Sequence, residues 1–341
     1  MRDVLETLEK WTQSKRRVAT ATVVGTERSA PRDPGAVLAV SDKGEVAGSV
    51  TGGCVEPAVY EEANTVLSGG EPRLLTYGIA DEEAFEVGLP CGGEVHIFVD
   101  MLDPEVLTEI TTALSQEKPI ALAVPISGPQ IGNEILVTPE SPESDETTAH
   151  IKSLLARGEN AILPIPKGEI FVSTFTPRPR MYVFGAIDFA SAVARTGKFL
   201  GYYVTVCDAR AKFVTPERFP DVDELAIEWP DEFLARSHID ERTAICVLTH
   251  DDKFDVPILK VALESQAGYI GAMGSRRTTE KRSERLRNEG VSKEQLERIH
   301  APIGLKIGAR TPEEVAVTIA AQIIEVFRAN TPRASVPNKE V

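Results

Sequence analysis

MYVFGAIDFASAVARTGKFLGYYVTVCD, residues 181 to 208, is where the fold can be read most directly. Met181 to Phe184 is a short continuous apolar run, the pattern of a strand buried on both faces. Gly185 turns the chain, Asp188 to Leu200 carries apolar residues at helical spacing, and Tyr203 to Cys207 is a second strand that ends in Asp208. The alternation continues downstream. Ala244 to Leu248 reads as a strand, Val256 to Gln266 as a helix, Tyr269 to Ile270 as a short strand, Ser275 to Asn288 as a charged helix and Pro312 to Arg328 as a closing helix. Strands alternating with helices predict an α/β architecture with a doubly wound parallel sheet.

The segment also has the layout of a dinucleotide-binding unit. Asp208 stands 23 positions beyond Gly185, where a ribose hydroxyl would be gripped, so NAD(P) is a candidate cofactor. The G-x-G-x-x-G fingerprint is broken, however. Ile187 replaces the second glycine and would keep the backbone away from a pyrophosphate, and Asp188 at the helix start would repel one. Two later turns carry chemistry. His250, in Thr249-His250-Asp251 at the carboxyl end of a strand, reads either as an acid/base group or as a loop cap. Gly274-Ser275-Arg276-Arg277 reads either as an anion cradle at a helix start or as a solvated first turn. Cys207 and Cys246 fall inside apolar strands and are expected in the core. His96, His150, His238 and His300 have no partner at ligand spacing in the sequence and are read as structural.

Upstream, the first 100 residues read as an α+β domain. A charged amphipathic helix is followed by strands at Val18–Val24, Ala36–Val40, Val46–Val50 and Glu94–Val99, with a helix at Glu56–Leu67. The run Gly48-Ser49-Val50-Thr51-Gly52-Gly53-Cys54-Val55-Glu56 takes a strand end through a glycine pair into a helix. Free amides there attract anions, and the helix dipole favours a thiolate. Leu89-Pro90-Cys91-Gly92-Gly93 presents a second thiol beside glycines, 37 residues later. The two thiols either converge on one ligand or are small buried residues in tight turns. Glu56 and Glu86 read as acid/base groups or, for a first helical turn, as dipole partners. Arg32, beside Pro31, is either a fork for a phosphate or carboxylate or a solvated loop arginine. Residues 101–176, with a helix at Asp103–Gln116, strands at Ile120–Val124 and Glu169–Phe175 and the polar run PESPESDETTAHIKS, read as a connecting subdomain. The third region is 177–341.

Composition bounds the function. With 341 residues, 42% hydrophobic and 26% charged, the chain is long enough for about two folded domains. Lys plus Arg is 37 and Asp plus Glu is 52, a formal net charge of −15, which repels phosphate backbones and anionic lipid. Nucleic acid and membrane are therefore not expected partners. The first residues lack an apolar signal segment, so the cytoplasm is the expected compartment and the four cysteines are expected to be reduced. Glycine-rich sheet edges in the first domain would need covering, which suggests a homodimer.

With these stretches in view, the chain resembles the XdhC/CoxI family, the accessory factors of xanthine dehydrogenase and related molybdenum hydroxylases. The resemblance is carried by SAPRDPGA (Ser29–Ala36), GSVTGGCVE (Gly48–Glu56), LPCGGEV (Leu89–Val95), VTVCDAR (Val204–Arg210), LTHDDKFD (Leu248–Asp255), YIGAMGSRR (Tyr269–Arg277) and IGLKIGARTPEEVA (Ile303–Ala316). It implies an N-terminal α+β domain followed by a Rossmann-like domain. It also implies binding of molybdenum cofactor, help in its sulfuration, and delivery to an apo molybdenum hydroxylase with a sulfur donor protein as second partner. Cys54 and Cys91 would hold the molybdenum or relay sulfur. Arg32, Gly52, Gly53, Gly92 and Gly93 would lie against the pterin. Gly185, Asp208, Arg210, Gly274, Ser275 and Arg276 would serve the ligand of the second domain. The family's usual G-A-G-H turn is here Gly185-Ala186-Ile187-Asp188. The chain alone is not expected to be the dehydrogenase, because two [2Fe–2S] clusters take about eight thiolates and the chain has four cysteines. The alternative reading is an NAD(P)-dependent oxidoreductase built on Asp208 and His250.

Overall fold

The computed structural model of the chain describes residues 1–27, 32–53, 55–78, 93–249 and 251–329. They divide into two compact units, one ending at Pro177 and one starting at Arg178.

The first unit opens with helix α1 (Leu5–Gln13) and strands β1 (Val18–Glu27), β2 (Val37–Ser41) and β3 (Val46–Gly48). Helix α2 (Glu56–Leu67) and strands β4 (Arg73–Tyr77) and β5 (Glu94–Met101) follow. The strands form an antiparallel sheet in the order β3-β2-β1-β5-β4. Alternation along β1 and β5 sends Ala19, Ala21, Val23, Val95, Ile97 and Val99 to one face, where Val59, Ala63 and Val66 of α2 close a core over them. A bulge between Val23 and Gly25 shifts the register, so that beyond it Gly25 lies opposite His96 and Glu27 opposite Glu94.

The same unit continues with α3 (Pro104–Ser115), β6 (Ile120–Pro125), β7 (Ile135–Val137), α4 (Glu146–Arg157), β8 (Ala161–Ile165) and β9 (Gly168–Phe175). These strands form a second antiparallel sheet, β7-β6-β9-β8. Helix α4 begins inside the run that reads as merely polar. Asp145 caps it by accepting from the Thr148 amide at 2.7 Å, and Ile151, Leu154 and Leu155 form a stripe against Ala121, Ala123 and Val172.

The second unit comprises β10 (Arg180–Phe184), α5 (Asp188–Phe199), β11 (Tyr203–Cys207), β12 (Glu224–Ala226), α6 (Pro230–Ala235), β13 (Ala244–Val247) and α7 (Asp252–Glu264). Strand β14 (Tyr269–Ala272), α8 (Arg276–Asn288), α9 (Lys293–Glu297), β15 (Ile299–His300) and α10 (Pro312–Ala329) complete it. All pairings are parallel and the order is β12-β11-β10-β13-β14-β15, the doubly wound order of a Rossmann domain. Residues 181–208 therefore form the predicted β-α-β unit. Met181 and Val183 face one core with α5 and α10, while Tyr182 and Phe184 face the other with α6, α7 and α8. The strand order reverses between β10 and β13, which puts the crevice of the sheet beside Gly185 and Leu248. Among the described residues no helix is long and apolar enough to cross a membrane.

Candidate functional site

The turn between β3 and α2 is organised by one carboxylate. Gly52 and Gly53 take φ of 85° and 126°, which turns successive amides to the same side. Glu56, the first residue of α2, fills the resulting nest. Its Oε1 accepts from the Ser49 hydroxyl at 2.6 Å and from the amides of Val50 (3.2 Å), Thr51 (2.9 Å) and Gly52 (2.9 Å). Its Oε2 accepts from the Thr51 hydroxyl at 2.7 Å and from the amides of Gly53 (2.8 Å) and Val55 (3.2 Å). Burial works to raise the pKa of Glu56. The Ser49 and Thr51 hydroxyls and the Thr51 amide outweigh that and hold the group far below the ordinary carboxylate range. The anion that a sequence reading seeks at this helix start is thus supplied by the chain itself.

Cys54 lies outside the described residues, but the amides on either side of it, of Gly53 and Val55, are both fixed to Glu56. Cys91, Gly92 and Glu86 also lie outside the described residues, while Gly93 is buried at the start of β5. Arg32 donates to Asp3 Oδ2 at 2.8 Å in a cleft of about 560 Å³ that Asn160, Ser173 and Thr174 also line. Within the first unit, the structure describes Gly52 and Gly53 in the amide nest and Arg32 in that cleft.

In the second unit, too, an amide of the turn is taken by a carboxylate of the protein. Gly185 has φ of 99°, and a Cβ there would stand 2.8 Å from Thr249 Cγ2, so glycine is required by both conformation and space. The following amide, of Ala186, donates to Asp208 Oδ2 at 2.8 Å. Arg210 holds the same carboxylate as a fork, Nε to Oδ1 at 2.9 Å and Nη2 to Oδ2 at 2.7 Å. Burial works to raise the Asp208 value, and the Arg210 guanidinium and the Ala186 amide bring it below the usual range. Asp188 pairs with Arg218 at 3.3 Å. His250 lies outside the described residues.

Beyond Thr249, which donates to Asp255, a fully buried pair ties β14 to α7 and α8. Arg282 is 2% and Asp255 1% exposed, with 2.6 Å between Nη2 and Oδ2, and Arg282 also donates to the Met273 carbonyl at 2.7 Å. Sequence reading missed this pair, because nothing in a charged helix marks which of its arginines turns inward. Ser275 caps α8 by accepting from the Thr278 amide at 3.2 Å, Gly274 has φ of 149°, and Arg276 is exposed. The thiols of Cys207 and Cys246 are buried in strands, and burial pushes the pKa of each up to about 12, so neither is a nucleophile at neutral pH.

Residues 181–323 match the model described as the XdhC Rossmann domain, and residues 11–78 match that of the XdhC and CoxI family. The chain is 26% identical over 325 residues to a Bacillus subtilis (strain 168) protein whose name makes it a probable subunit of xanthine dehydrogenase, covering 93% of this chain and 96% of that one. It is 28% identical over 306 residues to an Escherichia coli (strain K12) protein named molybdenum cofactor insertion chaperone PaoD, covering 89% and 82%. A solved structure described as a xanthine dehydrogenase from Bacillus halodurans superposes with a TM-score of 0.69, 24% identity and 97% coverage of both chains, which shows a shared fold.

Proposed function

Because the chain belongs to the XdhC and CoxI family, we propose that it matures a molybdenum hydroxylase of the xanthine dehydrogenase type. In this reading it takes up molybdenum cofactor transiently, assists its sulfuration and passes it to the apo-enzyme, with a sulfur donor protein as second partner. The observation that carries the reading is the likeness, over 89% of this chain, to the relative named a cofactor insertion chaperone. The amide nest beside Cys54 in the sequence supports it. Glu56 fixes the amides of Gly53 and Val55, the residues on either side of Cys54 in the sequence. Cys54 and Cys91 are the proposed contacts to the molybdenum or its sulfur. Gly52, Gly53, Gly92, Gly93 and Arg32 are the proposed surroundings of the pterin, and the protein acts in the cytoplasm as a homodimer.

Gly185, Asp208, Arg210, Gly274, Ser275 and Arg276 are the proposed ligand surface of the Rossmann domain. The alternative, an NAD(P)-dependent oxidoreductase with His250 as acid/base, has less support, since both carboxylate oxygens of Asp208 are engaged by Arg210 and Ala186. The test is activation of a purified apo molybdenum hydroxylase by released cofactor and a sulfur donor, without oxygen. Wild-type chain should raise the active fraction, and Cys54→Ala or Cys91→Ala should remove that gain. Equal activation by all three chains would refute the proposal.

A further inference from the structure

The bulge in β1 has a consequence at the far end of the sheet. It brings Glu27 opposite Glu94 and places His96, two residues along β5, on the same face, with side-chain-free Gly25 across from it. One ligand atom from each of Glu27, Glu94 and His96 can be chosen so that all three lie within 4.8 Å of one another. The imidazole is held by its other nitrogen, Nδ1, 2.9 Å from the Thr76 hydroxyl of neighbouring β4. His96 Nε2 is buried and makes no hydrogen bond, and it lies 3.4 Å from Glu94 Oε1. A buried ring nitrogen without a hydrogen bond calls for an explanation.

We propose that Glu27, Glu94 and His96 bind a divalent cation of the zinc type through one nitrogen and two carboxylate oxygens. The chemistry matches on three counts. Imidazole and carboxylate are zinc ligands, and three protein ligands leave a fourth position open. Bonds of about 2.0–2.2 Å in a tetrahedron put neighbouring ligand atoms about 3.3–3.6 Å apart, the separation found between His96 Nε2 and Glu94 Oε1. With a cation on Nε2, Nδ1 would carry the ring proton and donate to the Thr76 hydroxyl 2.9 Å away, which fixes the ring as outer partners of metal-bound histidines do. Glu27 is exposed and Glu94 and His96 are partly buried, so the site opens to solvent on the Glu27 side. The proposal is independent of the molybdenum reading.

The full chain carrying Cys54→Ser and Cys91→Ser, so that thiols cannot compete, is stripped with chelator and titrated with zinc chloride by calorimetry. One zinc ion per chain should bind. Glu94→Gln and Glu27→Gln keep side-chain volume and should each weaken binding by more than the roughly tenfold that loss of an orienting partner costs; Thr76→Val should weaken it by about that tenfold. Cobalt in place of zinc should give visible bands that His96→Asn abolishes, and circular dichroism melts report that each variant is folded. Absence of saturable binding, or affinity unchanged in folded Glu94→Gln and His96→Asn chains, would overturn the assignment.

Discussion

Two turns, one in each unit, end a strand in glycine and lead into a helix, and in both a carboxylate of the protein takes amides that an anionic ligand would use. They are built differently. In the first unit the acid is local. Glu56 heads the helix that the turn leads into, and five amides and two hydroxyls converge on it. In the second unit the acid is remote. Asp208 comes from the next strand, reaches one amide of the turn, and is held in place by Arg210. A local acid makes the turn rigid by itself, whereas a remote one makes the turn's shape depend on a second element. The first arrangement fixes the amides of Gly53 and Val55 without help from any other element. The second ties the Ala186 amide to Asp208 and, through it, to Arg210.

Substitutions in the two units should differ in cost, and the largest effect is expected at the buried Arg282–Asp255 pair of the second unit. Arg282→Ala removes the cation that faces Asp255 in the interior and should cost about 3–5 kcal/mol, read as an earlier urea transition of the second unit; a cost under 1 kcal/mol would mean that the crevice does not depend on that pair. Glu56→Gln should cost about 2–3 kcal/mol in the first unit. Its pH dependence sharpens the point. The folded-state value of Glu56 is depressed below its ordinary 4.5, so its contribution is complete above that value and is lost as pH falls toward the folded one. The stability gap between wild type and Glu56→Gln should therefore narrow as the medium is acidified, and a gap that widens would show that the acid is not held ionised. Asp208→Asn should cost about 1–2 kcal/mol, less than Glu56→Gln because Arg210 is 47% exposed; the reverse order in thermal melts would invert the comparison. Ser49→Ala removes one hydroxyl that both donates to Glu56 and accepts from Gly52, and about 1 kcal/mol is expected.

What was legible in the sequence follows from how local each signal is. Helix α2 runs from Glu56 to Leu67 as read, since proline in its first turn and the Gly69-Gly70 pair mark both ends. Strand β11 ends at Cys207 and α5 starts at Asp188, as read. Helix α7 starts four residues earlier than its apolar run, because Asp251 caps it by accepting from the Lys253 amide at 3.1 Å. Helix α4 is hidden by a polar composition whose apolar stripe shows only against β6 and β9. Strands β12 and β15, with three and two residues, are defined by their neighbours in the sheet. At the sites, Gly52-Gly53 and Gly185 mark the turns, and the sequence singles out Glu56 and Asp208 for other roles, but nothing in it shows that each carboxylate takes amides of the turn itself. The pairing of Arg282 with Asp255, 27 positions apart, and the meeting of His96 with Glu27 through a bulge depend on long-range register, which no spacing rule carries.

If Glu56, by fixing the amides of Gly53 and Val55, orders the cofactor site proposed around Cys54, anaerobic ultrafiltration of molybdenum cofactor released from a denatured molybdoenzyme should show it. Wild-type chain should retain the cofactor, Ser49→Ala should retain less, and Glu56→Gln, shown to be folded by circular dichroism, should retain least. Retention by Glu56→Gln equal to or above that of wild type would contradict the claim, because it would mean that the carboxylate competes with the cargo or has no part in holding it.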